Sequence, residues 1–72
     1  MENIMQITPA AARVNAGFTQ EEAAKLIGVS KQTINNWESG KTIPGTDKAQ
    51  VMADLYRMPL QFIIFGKKST VA

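Results

Sequence analysis

Seventy-two residues with 44% apolar side chains suffice for one compact core, and eight Lys and Arg against six Asp and Glu leave a net charge of only +2. Neither Cys nor His is present, which excludes disulfides, thiolate zinc sites, imidazole acid-base catalysis and the triads built on His. Helix packing must supply the stability, and any basic surface must come from local placement, as at Lys31, Lys41, Lys67 and Lys68.

Alternating β-branched residues are missing, and the punctuation is that of short helices: a Ser or Thr cap, an apolar-periodic stretch, then Gly. The fold class is therefore all-α. Thr8-Pro9 suits an N-cap and first helical position, since Pro needs no amide partner there; helix one runs to about Asn15. Thr19-Gln20-Glu21-Glu22 is a capping box that starts helix two at Gln20. Helix two runs to about Ile27, where Gly28 provides the left-handed residue that ends it, and Ser30 caps helix three over Lys31 to about Ser39. Gly40 stops that helix, and Lys41 to Gly45, with Pro44, reads as an irregular connection. Helix four starts near Thr46, with Ala49, Met52, Ala53 and Tyr56 as its core stripe. Pro59 opens a short fifth helix carrying Leu60, Ile63 and Ile64, closed by Gly66.

Residues 1–7 form an N-terminal arm on this reading, 8–66 the domain, and 67–72 a flexible, frayed tail. The longest uninterrupted apolar run, Phe62 to Phe65, is far short of the roughly 20 residues of a membrane span, and the N-terminus lacks a secretion-signal layout. The expected setting is the cytoplasm, with no membrane partner.

Gln20 to Ser39 reads as helix, Gly-containing turn, helix. Two helices crossing steeply after so short a turn need a small residue where they nearly touch, and Ala24 stands there. Val29, Ile34 and Trp37 then lock the second helix onto the first. Its other face, Lys31, Gln32, Thr33, Asn35 and Asn36, stays polar and free to enter a major groove about 12 Å wide. Lys31 matches guanine O6 and N7, Gln32 and Asn36 match adenine N6 and N7, and Lys41, after Gly40, matches a phosphate.

The ordered segments Phe18-Thr19-Gln20-Glu21-Glu22-Ala23-Ala24, Gly28-Val29-Ser30-Lys31-Gln32-Thr33-Ile34 and Trp37-Glu38-Ser39-Gly40-Lys41 resemble the Cro/C1-type phage repressor module. The resemblance runs without an insertion from about Thr8 to Gly66 and is similar in extent to a short phage Cro-like repressor. It implies a five-helix, lambda-repressor-like DNA-binding domain with the helix-turn-helix at helices two and three. It further implies a homodimer on a roughly palindromic double-stranded operator, a role in a lysis-lysogeny switch, and association with the host nucleoid. By residue it implies base reading by Lys31, Gln32 and Asn36, and backbone contact or support by Gln20, Thr33, Asn35, Lys41 and Thr42. Arg13 and Glu38 fall where related repressors place a buried ion pair.

Bland readings compete at several positions. Asn35 by itself is better assigned to a solvated face, Trp37 to the core, and Lys67 and Lys68 to a solvated tail. Glu21 and Glu22 are no catalytic pair, because adjacent helical positions point apart and the capping box accounts for one of them. No enzyme and no cofactor is expected.

The chain departs from the module at Arg57, where Gly is usual, at Pro59, where a hydrophilic cap is usual, and at Gly45, which replaces a stronger cap. Val51, Leu55 and Phe62 stand where Lys, Ala or an acidic residue is common, and read as a protein interface rather than monomer core. They keep alive a second function class, a protein-interaction modulator or antirepressor that forms a heteromer with an opposing phage repressor.

Overall fold

The computed structural model describes residues 6–66. Four α-helices follow in order, α1 (Pro9–Asn15), α2 (Gln20–Ile27), α3 (Lys31–Ser39) and α4 (Thr46–Tyr56), and then a single 3-10 turn, Leu60–Phe62. The caps explain the starts. Thr8 Oγ1 accepts from the Ala11 amide at 3.1 Å, Thr19 Oγ1 from the Glu22 amide at 3.0 Å, and Ser30 Oγ from the Thr33 amide at 3.0 Å. Glu22 Oε1 returns to the Thr19 amide at 2.9 Å, which completes the capping box. Gly45 gives α4 no side-chain cap.

Gly28 and Gly40 end α2 and α3 with φ of 91° and 84°. At Gly28 an added Cβ would meet nothing within 4 Å, so the backbone angle rather than crowding calls for glycine. Arg57 ends α4 in the same left-handed region, with φ 55°, although it carries a side chain.

The core gathers one stripe from each helix: Ala12, then Ala23, Ala24 and Ile27, then Ile34 and Trp37, then Met52 and Tyr56. Ile34 and Met52 are its largest fully buried side chains. Ala49 and Ala53 are buried beside Met52 and Tyr56 on α4, as their spacing predicts. No described helix is long and apolar enough to cross a membrane.

The fifth helix is the correction. Helical geometry stops at Phe62, Ile63 is extended at φ −91° and ψ 124°, and it forms a parallel bridge with Ile7. The Ile7 amide donates to the Phe62 carbonyl and the Ile64 amide to the Ile7 carbonyl, both at 2.9 Å. Pro59 provides no side-chain cap, and a helix through Ile63 and Ile64 would forfeit this pairing, which seats Ile63 in the interior at 6% exposure. Ile7, at the end of the expected arm, is thereby tied to the C-terminal segment. The rest of that arm's expectation, apart from exposed Gln6, and the tail with Lys67 and Lys68 lie outside the described residues.

Candidate nucleic-acid interface

The interface is built on α3. Ile34 and Trp37, at 0% and 6% exposure, hold it against the core, and its outer face leaves Lys31, Gln32 and Asn35 exposed with Thr33 and Asn36 half-buried. Gln20, in the first turn of α2, borders one shallow depression with Lys31, Gln32 and Asn35. Candidates from two helices are thus brought side by side.

The hydrogen bonds within this surface were not all legible in the chain. Gln32 Nε2 donates to Asn36 Oδ1 at 3.1 Å, and the Thr33 and Ser30 hydroxyls lie 2.9 Å apart. A four-residue helical spacing could have flagged the first. Beyond α3 the chain folds back on it, with the Lys41 and Thr42 amides donating to the Asn36 carbonyl at 2.9 and 3.3 Å. Both side chains are exposed where the chain leaves the helix.

Behind this surface lies a polar cluster. Arg13 Nε donates to Glu38 Oε2 at 2.6 Å and Arg13 Nη2 to Glu38 Oε1 at 3.2 Å, with side-chain exposures of 13% and 7%. Arg13 Nη1 reaches the Phe18 carbonyl at 2.8 Å. The hydrogen bond to Glu38 raises the Arg13 pKa above its ordinary value, against the opposing effect of burial. Gln20 Nε2 also donates to Glu38 Oε1, at 2.9 Å. One carboxylate therefore joins α1, α2 and α3, a role for Gln20 that its position at the start of α2 does not by itself reveal.

Tyr56 lies in the same electrostatic neighbourhood. Its pKa is pushed up to about 12, first by burial and then by the negative charge of Glu38. Its hydroxyl is buried with no hydrogen-bond partner among the described residues, and its ring sits 6.3 Å from that of Phe18.

The three apolar interface candidates differ in exposure. Val51 is 42% exposed, whereas Leu55 and Phe62 are half-buried. Leu55 packs against the core cluster, which corrects its reading as surface set apart from the core: the α4 stripe is wide enough to reach it. Val14, Leu26 and Ile43, at 61%, 60% and 64% exposure, are apolar surface that the sequence pattern did not single out. Among the described residues no group of three or more acidic side chains is close enough to hold a metal ion.

Comparison with known proteins gives two matches. A helix-turn-helix family model matches residues 10–63. The HTH-type transcriptional regulator ImmR of Bacillus subtilis (strain 168) is 30% identical over 53 residues, covering 74% of this chain and 42% of that protein. This chain thus spans less than half the length of the curated relative it matches. No solved structure matches the chain.

Proposed function

The chain belongs to the Cro/C1-type helix-turn-helix family, and from that premise we propose that it is a sequence-specific DNA-binding transcriptional regulator. The observation that carries this reading is the two-sided character of α3: Ile34 and Trp37 are buried, while Lys31, Gln32 and Asn35 are exposed and Thr33 and Asn36 are half-buried. These side chains supply the donors and acceptors that a major groove reads. ImmR is by its name a transcriptional regulator of the same kind.

In detail, α3 lies in the major groove with Lys31, Gln32 and Asn36 toward base edges. Thr33, Asn35, Lys41 and Thr42 face the backbone, and Gln20 supports the N-terminal end of the same surface. The finer reading is a phage or prophage Cro-like repressor that acts in the host cytoplasm, occupying a palindromic operator as a homodimer and excluding polymerase from an overlapping promoter. No cofactor or catalytic step enters it.

Selection of duplexes from a random-sequence pool tests the reading. Enrichment of a palindromic motif supports it, and recovery of unenriched DNA contradicts it. A second reading, docking on an opposing phage repressor, is favoured by the exposed apolar side chain of Val51 on α4.

A further inference from the structure

Gln20 is held by the same carboxylate that pairs with Arg13. Its Nε2 donates to Glu38 Oε1 at 2.9 Å. Glu38 is in turn fixed by two bonds from Arg13, at 2.6 and 3.2 Å, and its side chain is only 7% exposed. Gln20 is half-buried and also borders the depression lined by Lys31, Gln32 and Asn35 of α3, so one side chain connects the buried pair with the outer face. The bond decides which way its amide turns. The terminal torsion of a glutamine is broad and roughly two-fold, so a free side chain offers nitrogen or oxygen almost alike. A carboxylate only accepts, so the nitrogen of Gln20 is the end that meets Glu38, and one of its two N–H groups is left over. A DNA phosphate oxygen is likewise an acceptor, and that second N–H is what it can take. Arg13 balances the charge of Glu38, so the carboxylate sets no net negative charge against the phosphate.

We propose that Glu38 is a positioning residue for DNA binding, which holds the Gln20 amide nitrogen-first so that its second N–H meets a phosphate oxygen. The inference rests on the reading of α3 as the DNA-facing helix, with Gln20 as a backbone contact beside it. It adds that the buried ion pair contributes to affinity as well as to the fold. Arg13 acts one step further back, by fixing Glu38 and cancelling its charge.

The test compares two double variants, Arg13→Met with Glu38→Gln and Arg13→Met with Glu38→Met. Each is titrated with and without Gln20→Ala, on a selected duplex and on a random one at the same salt concentration. Both double variants lose one positive and one negative charge, so the net charge stays at +2 and no buried charge is stranded. At position 38 they differ in keeping or losing an acceptor. Circular dichroism and urea unfolding check that each variant is folded at the temperature used. In the wild type, Gln20→Ala weakens binding to both duplexes about tenfold. With Glu38→Gln that loss stays at about fivefold or more, and with Glu38→Met it falls below about twofold. A purely structural role for Glu38 would move the unfolding midpoints and leave these ratios unchanged. Equal losses from Gln20→Ala in the two double variants overturn the proposal, and so does no loss in the wild type; base reading by α3 stands in either case. If the wild type binds neither duplex, the reading of α3 fails and the proposal with it. Where a double variant does not fold, NMR of the wild type bound to DNA decides. The side-chain amide protons of Gln20, identified by their loss in Gln20→Ala, should exchange about tenfold more slowly than those of an exposed glutamine, and exchange at the exposed rate overturns the proposal.

Discussion

Arg13 and Glu38, 25 residues apart in the chain, meet side-on, with Nε to Oε2 at 2.6 Å and Nη2 to Oε1 at 3.2 Å. Both are largely withdrawn from solvent, so the pair lies near the limit at which removing one partner strands a buried charge. Arg13→Ala leaves Glu38 only the Gln20 amide, whereas Glu38→Ala leaves Arg13 its bond to the Phe18 carbonyl. We expect Arg13→Ala to cost about 3–5 kcal/mol and Glu38→Ala somewhat less. A double-mutant cycle by urea unfolding checks this; a coupling near zero would mean that the two side chains act independently.

Arg57 holds φ 55° at the end of α4, where its amide donates to the Ala53 and Asp54 carbonyls. Left-handed backbone costs an L-residue about 1–2 kcal/mol, part of which glycine gives back through its freer unfolded chain. Arg57→Gly should therefore stabilise the domain by up to about 1 kcal/mol, read as a rise in melting temperature. A fall would show that the Arg57 side chain contributes more than the strain removes.

Tyr56 is the sole tyrosine, so the phenolate absorbance reports one group. With its pKa pushed up to about 12 from an ordinary 10.0, the folded state keeps a proton that the unfolded chain releases. The resulting stability is fully present below pH 10, declines as pH rises from 10, and is lost through about 12. Tyr56→Phe should remove this part of the alkaline loss. At neutral pH it should change stability by less than about 1 kcal/mol, because the hydroxyl it deletes has no partner among the described residues. Phenolate titration at the ordinary value, or a variant with the wild-type alkaline profile, would contradict the assignment.

Val51 and Leu55 share a face of α4, yet only Val51 is exposed, and Leu55 packs on the core. Val51→Glu should change folding stability by less than about 0.5 kcal/mol while weakening self-association or docking of a partner repressor. Leu55→Glu should destabilise the fold. Sedimentation of both variants, alone and with a candidate repressor, checks this. Unchanged association of Val51→Glu with itself and with the repressor would remove Val51 from any interface.

What could be read from the chain was local. The Thr19 and Glu22 box, the Ser30 cap and the glycines at 28 and 40 act within one turn of where they stand, and α2 and α3 have the expected bounds. The C-terminal segment departs from its helical spacing at Leu60, Ile63 and Ile64 because its conformation depends on a distant partner: Ile63 is extended and pairs with Ile7. The candidate site divides in the same way. Which side chains share the outer face of α3 follows from its periodicity. The Gln20 bond to Glu38 depends on packing of α2 against α3, while the four-residue spacing of Gln32 and Asn36 permits their bond and the rotamers close it.

The most direct measurement compares the wild type, Gln32→Ala and Lys41→Ala on the selected duplex and on random duplex across a salt series. Gln32→Ala should lose about 1–3 kcal/mol on the selected duplex, with little change on random DNA and no change in salt slope. Lys41→Ala should weaken both DNAs alike and lower the salt slope by about one unit. Equal losses on the two DNAs for Gln32→Ala would contradict the reading of α3 as the base-recognising surface.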